Sequence, residues 1–114
     1  MADCIFCKII NKEIPSTIVY EDETVMAFRD IKPVAPVHVL IVPKKHIPSV
    51  EALDRDNAGV LADIHLAAKK IAEKEGLSGK GFRLINNCGK DAGQTVFHLH
   101  YHLIGGRELG EKLI

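Results

Sequence analysis

The chain has 114 residues and a mass of 12.6 kDa, which is enough for one domain. Its fifteen Lys and Arg balance its fifteen Asp and Glu, which argues against a broad basic face for duplex nucleic acid or an anionic membrane. The apolar runs are far shorter than the roughly 20 residues that span a bilayer, and the first residues lack the apolar core of a signal peptide. We therefore expect a cytoplasmic protein.

Six histidines and three cysteines stand out in this short chain, which has no tryptophan. An odd number of cysteines in a reducing compartment argues against a disulfide framework. A domain of this size buries a limited fraction of its surface. The composition therefore indicates that a partner chain or a metal contributes to stability.

The first half of the sequence predicts a short helix followed by three strands. Residues 4–12 carry apolar side chains at helical spacing, and the Ile-Pro-Ser run at 14–16 ends that helix. Residues 17–20 and 24–28 have the composition of strands and are joined by a polar turn at residues 21–23, which predicts a hairpin. Residues 37–42 are almost continuously apolar or β-branched, so they predict a central strand that is buried on both faces.

The second half predicts one long helix and two further strands. An apolar stripe over residues 57–75 predicts the helix, with Asp54 or Asp56 as its N-cap. Residues 82–85 and 96–104 predict the two strands. Strands and helices do not alternate strictly. The fold class is therefore α+β, with an antiparallel sheet, one long helix and a short N-terminal helix.

Three histidines at every second position mark the last predicted strand. Side chains alternate between the faces of a strand, so His98, His100 and His102 share one face at a spacing of roughly 6.6 Å. The core face takes Phe97, Leu99, Tyr101 and Leu103. A purely structural role would require partners for two ring nitrogens on each histidine. The remaining interpretations are a metal site and nucleophilic catalysis by an imidazole.

The loop before this strand favours catalysis on a phosphate. Gly89, Gly93 and the backbone amides of residues 94–96 can form a small anion-binding nest. Thr95 adds a hydroxyl group and Asn87 adds an amide. Such a site consists mainly of dipoles, so it is compatible with a net charge of zero.

Residues 98–104, His-Leu-His-Tyr-His-Leu-Ile, resemble the motif His-φ-His-φ-His-φ-φ of the histidine-triad (HIT) family, where φ is apolar. Four further segments resemble blocks of this family in the same order: residues 5–15, 27–31, 38–46 and 92–96. The Hint branch, the histidine-triad nucleotide-binding proteins, is the most similar. The resemblance implies that residues 1–114 form a single HIT domain.

The resemblance also implies roles for individual residues. His100 matches the nucleophile that attacks the α-phosphorus and forms a nucleotidyl-histidine. His102 and His38 match histidines around the phosphate, and His98 is the first histidine of the triad. The remaining matches concern nucleotide binding: Phe6, Ile9, Ile14, Phe28 and Ile31 at the purine, Asp30 at the ribose hydroxyls, and Asn87, Gly93, Gln94, Thr95 and Val96 at the phosphate.

Cys4 and Cys7 form a Cys-x-x-Cys pair, which alone is compatible with zinc, redox chemistry or chance. The pair does not follow a strand of a βαβ unit, as a thioredoxin-like site would require. Some bacterial HIT proteins carry such a pair and bind zinc with two histidines. By position, the resemblance implies a structural zinc site made of Cys4, Cys7, His46 and His98.

The resemblance implies a hydrolase of purine nucleoside phosphoramidates that releases a nucleoside monophosphate and an amine. The resemblance implies a homodimer, and charge stabilisation by amides and imidazoles without Mg²⁺. Two alternatives stay open at this point. One is hydrolysis of dinucleoside polyphosphates, and the other is a nucleotide-binding regulatory protein whose catalysis is incidental.

Overall fold

Five strands form one antiparallel sheet in the computed structural model, which describes residues 4–114. The helices are α1 (Ile5–Ile10) and α2 (Gly59–Lys74), and the strands are β1 (Ile18–Glu21), β2 (Val25–Arg29), β3 (Val37–Pro43), β4 (Phe82–Ile85) and β5 (Tyr101–Gly105). The strand order is β1-β2-β3-β5-β4. The predicted α+β class, the hairpin of β1 and β2, and the two helices are confirmed.

The sheet has a helix on each face. Alternate residues of β2 and β3 point to opposite faces, as the pleat requires. One set packs with α2 and the other packs with α1: Val25, Ala27, Val39 and Ile41 in the first, and Met26, Phe28, Leu40 and Val42 in the second. All seven residues of β3 are buried, so the predicted strand with two buried faces is confirmed.

The long helix begins two residues later than predicted. Its N-cap is Ala58, which makes no side-chain cap bond, and the Asp54 carboxylate accepts two backbone N–H groups of the preceding turn instead. The buried stripe includes Ile64 and Ile71, as the spacing predicts. Over residues 4–114, neither helix has the length and apolar character needed to cross a membrane.

The last strand is shorter than predicted. Of residues 96–104, only those from Tyr101 onward pair with β3 and β4. Burial does not alternate before that point, because His98 and Leu99 are both fully buried. Phe97, predicted on the core face, is 53% exposed, so that prediction is wrong. The regular strand is absent at His98, whose buried side chain bonds instead to the Pro43 carbonyl and faces Cys4.

Candidate active site

Residues 96–100 lie outside the sheet but are held by hydrogen bonds to residues that precede them in the chain. The Leu99 N–H donates to the Ile47 carbonyl at 2.6 Å, and His98 Nε2 donates to the Pro43 carbonyl at 2.7 Å. At the two ends of the segment, side-chain amides donate to main-chain carbonyls: Gln94 Nε2 to Val96 at 3.1 Å and Asn86 Nδ2 to His100 at 2.9 Å. The segment therefore has a defined shape without strand pairing.

His100 has one ring nitrogen bound and the other free. Its Nδ1 lies 2.8 Å from the His98 carbonyl, which can only accept, so Nδ1 carries the proton. The lone pair therefore resides on Nε2, as a nucleophilic imidazole needs. His100 as a residue is only 7% exposed, and its ring meets the ring of Phe6 edge-on at 5.0 Å. The main-chain acceptor thus selects the tautomer and the orientation of this side chain.

A hydrogen-bonded chain joins His102, His38 and Asp30 beside that ring. His38 Nδ1 accepts the Val34 N–H at 3.1 Å, so its proton lies on Nε2. From there it donates to His102 Nδ1 at 2.9 Å, with Asp30 Oδ2 at 3.3 Å as a second acceptor. His102 consequently carries its own proton on Nε2. Burial lowers the pKa of His102, and the neighbouring imidazoles of His100 and His38 lower it further.

These three side chains also lie close enough to surround a metal ion. The hydrogen bonds argue against that use. His38 would have to offer the lone pair of Nε2, yet Nδ1 already uses its lone pair to accept the Val34 N–H. A neutral imidazole has only one such lone pair. The set of Asp30, His38 and His102 therefore fits a hydrogen-bonded relay better than a metal site.

An apolar wall flanks the triad on the α1 side of the sheet. Five residues predicted at the nucleotide come together there in one cluster: Phe6, Ile9, Ile14, Phe28 and Val96. Phe6 meets Phe28 edge-on at 5.5 Å. Ile31 is 91% exposed and lies outside this cluster. A separate cleft of about 510 Å³ at the C-terminal end of α2 shares no residue with the wall.

The predicted phosphate loop folds around the side chain of Gln94. This side chain is buried and accepts the Gly89 N–H at 2.8 Å, while its amide donates to the carbonyls of Pro48 and Val96. The Gln94 backbone N–H is also used, since it donates to the Gly89 carbonyl. Gln94 therefore shapes the loop and has no donor left for a phosphate. Asn87 is half-buried in the same loop, and both Gly93 and Thr95 are exposed.

Cys4, Cys7, His46 and His98 lie together, each with a ligand atom within 4.8 Å of the others. Cys4 Sγ is 3.3 Å from His98 Nδ1, and Cys7 Sγ is 3.3 Å from His46 Nδ1. In a tetrahedral zinc site, bonds of about 2.3 Å to sulfur and 2.0–2.1 Å to nitrogen put a sulfur and a nitrogen about 3.6 Å apart. The spacing of the four donors fits such a site.

The hydrogen bonds of the cluster also fit a metal. His98 donates from Nε2 to the Pro43 carbonyl, so the lone pair of Nδ1 faces the two sulfurs. Burial lowers the pKa of His98, which keeps the imidazole neutral. Burial and the side chain of Cys4 raise the pKa of Cys7, which favours the neutral thiol. A bound cation would favour the thiolate instead. The cluster is therefore compatible with a structural metal.

Asn86 is a site residue that the sequence pattern did not identify. Of the two consecutive asparagines after β4, only Asn87 has a counterpart in the family resemblance. The roles of the Pro43 and Ile47 carbonyls as hydrogen-bond acceptors were likewise unpredictable, because every residue type has a backbone carbonyl. A polar residue directly after a strand, opposite the triad, is the one signal that marks Asn86.

Comparisons with known proteins agree with this geometry. Residues 11–109 match the HIT domain. Purine nucleoside phosphoramidase of Escherichia coli strain K12 is 50% identical over 97% of this chain and 93% of its own length. A HIT family hydrolase from Clostridium thermocellum is 60% identical, with a TM-score of 0.98 over 100% of this chain and 99% of that one. A histidine triad protein from Clostridium difficile is 52% identical, with a TM-score of 0.95 over 98% of this chain and 97% of that one. On these matches and the triad geometry, the chain belongs to the HIT family.

Proposed function

We propose that this protein hydrolyses purine nucleoside phosphoramidates to a nucleoside monophosphate and an amine. The observation that carries the proposal is the free lone pair on Nε2 of His100. The His98 carbonyl holds the ring proton on Nδ1 and so leaves Nε2 unprotonated. The similarity to a purine nucleoside phosphoramidase supports the substrate class. The apolar wall beside the imidazole supports a nucleoside as the bound group.

In the first step, His100 Nε2 attacks the α-phosphorus and the bond from phosphorus to the amine nitrogen breaks. The departing nitrogen takes up one proton from the solvent, and the nucleotide is left on the histidine. The ring becomes positive as the new bond forms. Its Nδ1–H then bonds more strongly to the His98 carbonyl, so the bond gains strength during the reaction.

In the second step, water attacks the same phosphorus and the bond to His100 Nε2 breaks. Water supplies the oxygen of the product and releases one proton, which balances the proton taken up by the amine. His102, neutral with its proton on Nε2, serves in both steps as a hydrogen-bond donor to a phosphoryl oxygen. His38 holds His102 in that tautomer, and the backbone and side chains of the loop complete the charge stabilisation.

The nucleoside is proposed to lie along the apolar wall, with its purine against Phe6 and Phe28 and near Ile9, Ile14 and Ile31. Asp30 is proposed to accept the ribose hydroxyls. One of its oxygens already accepts the Lys32 N–H and the other faces His38, so the carboxylate is fixed in place. Asn87, Gly93, Thr95 and Val96 are proposed to surround the phosphate, and Gln94 holds their loop in shape.

We also propose that the metal of the Cys4, Cys7, His46 and His98 cluster is zinc. Two thiolates and two imidazoles are a donor set that zinc prefers, and four protein ligands leave no open position for catalysis. When bound, the ion supplies structural cross-linking. Its effect on the chain is to hold α1, and with it Phe6, against the triad segment.

Incubation with an adenosine phosphoramidate, followed by phosphorus NMR, tests the proposed activity. We expect conversion to adenosine monophosphate with a kcat of about 1 per second or more, in the usual range for enzymes. Diadenosine polyphosphate serves as the comparison substrate. Cleavage of that compound alone would favour polyphosphate hydrolysis. Nucleotide binding without turnover of either compound would favour a regulatory role, and both outcomes contradict the proposal.

We further propose that residues 1–114 act as one domain, in the cytoplasm, as a homodimer.

Two exposed apolar side chains support the dimer. Leu66 on α2 is 60% exposed and Phe82 on the edge strand β4 is 39% exposed, which supports an apolar contact with a second chain. Sedimentation equilibrium should give twice the 12.6 kDa chain mass, and Leu66→Glu should lower it. Leu113→Glu, at a position that is 87% exposed, is the matched control. A single-chain mass at micromolar concentration would contradict the dimer.

A further inference from the structure

The main chain of His100 is held by a side chain at the place where strand pairing ends. The pairing of β4 with β5 stops at Ile85 and His102, and the pairing of β3 with β5 stops at Ile41 and Tyr101. His100 therefore lies one residue before the sheet. Its carbonyl accepts the Asn86 Nδ2–H at 2.9 Å.

Asn86 follows β4 directly, and its side-chain amide binds a carbonyl that lies just beyond the last paired residues of β4 and β5. Both residues are at least half-buried. In such surroundings, a carbonyl that loses its hydrogen-bond partner is unfavourable, because little water can replace the lost donor. This bond therefore fixes the orientation of the peptide unit that follows His100.

The same peptide orientation determines where the His100 ring points. The ring is fixed at one end by the His98 carbonyl, and Leu99 between them is fixed by the Ile47 carbonyl. The Asn86 bond is a further constraint on the main chain of His100, in addition to the pairing of the next residue, Tyr101, with β3. Without it, the His100 carbonyl loses its partner and the peptide unit can tilt, so that Nε2 moves relative to a phosphorus held by the rest of the site.

We propose that Asn86 is a positioning residue for the nucleophile His100. The inference rests on the proposed function, since it assumes that His100 attacks the substrate. In this proposal Asn86 acts through the main-chain carbonyl of His100 and not by binding the nucleotide. Its loss should consequently affect the rate of the chemical step and leave substrate binding unchanged.

The test is Asn86→Leu, a substitution of similar size that cannot donate. We expect kcat for an adenosine phosphoramidate to fall roughly tenfold or more, because small displacements of a reacting atom are costly. KM and the dissociation constant of adenosine monophosphate should stay within about twofold, as expected when only the transition state is affected. Nitrogen NMR of the ring should show His100 moving from one tautomer toward a mixture.

Asn57→Asp is the matched control. Asn57 Nδ2 donates to the Ala52 carbonyl at 3.1 Å in the exposed turn before α2, so this variant also loses one amide-to-carbonyl bond. It should lower thermal stability without changing kcat. A kcat within about twofold of wild type for Asn86→Leu, or a change in KM alone, would overturn the proposal.

The NMR measurement separates this inference from the proposed function. If the wild-type protein does not cleave the phosphoramidate, the proposed function fails, whereas the ring nitrogens still report on Asn86. An unchanged His100 tautomer in Asn86→Leu then overturns the positioning role. A shifted tautomer supports it independently of the substrate.

Discussion

Replacement of His100 by glycine should abolish turnover of an adenosine phosphoramidate, with a loss of at least about 10⁴-fold in kcat. The substitution removes the only atom proposed to bond to phosphorus, Nε2, whose proton placement depends on the His98 carbonyl. Adenosine monophosphate should still bind, because the apolar wall and the loop keep their own contacts. Single-turnover kinetics and calorimetric binding measure the two effects.

A covalent intermediate gives a second readout of the same step. Wild-type protein quenched during turnover should carry a nucleotidyl group on His100, detected by mass spectrometry, and the glycine variant should not. His65→Ala is the control, since His65 lies on the exposed side of α2 and packs against Tyr101 at 5.4 Å. Turnover by His100→Gly above about one per cent of wild type would show that another group is the nucleophile.

Substitution of Cys4 by serine should remove zinc and destabilise the protein. Tag-free wild-type protein should contain about one zinc ion per chain, as four protein ligands predict. An ion present at 1,000 times its dissociation constant stabilises the folded protein by about 4 kcal/mol. When the variant can no longer bind the ion, the Tm of a small domain should therefore fall by more than about 10 °C. Elemental analysis and thermal unfolding measure the two quantities.

Cys88→Ser is the matched control for zinc, because Cys88 is a free thiol outside the cluster. It should keep the metal content and the Tm of the wild type. A wild-type metal content well below one per chain, with no gain on supplementation, would reject the site. Full metal content in Cys4→Ser would reject Cys4 as a ligand.

The sheet was largely predictable because its signals are local. The run of β-branched residues in β3 has few other uses than a buried strand. The turn between β1 and β2 is specified by Asp22, whose carboxylate accepts the N–H groups of Thr24 and Val25. In both cases, the residues that determine the element lie inside it or next to it.

The triad segment was less predictable because its partners are distant in sequence. The pattern of His98, His100 and His102 predicts a regular strand, but His98 bonds to Pro43 and faces Cys4 instead. Those contacts span 55 and 94 residues. Histidine spacing therefore identified the chemistry of the site, whereas the main-chain shape depended on contacts that no local pattern contains. The exposure of Phe97 is a result of the same departure from the strand.

The strand order has a consequence for synthesis of the protein on the ribosome. β5 lies between β3 and β4 in the sheet, yet it is translated after the other four strands. Until β5 emerges, β3 lacks one neighbouring strand and β4 has no strand to pair with. His38 also lacks its hydrogen-bond partner His102, which follows it by 64 residues. Such long-range pairing forms late in folding. A nascent chain therefore completes its sheet and its histidine cluster in the same final event, so a partly made chain lacks the assembled triad.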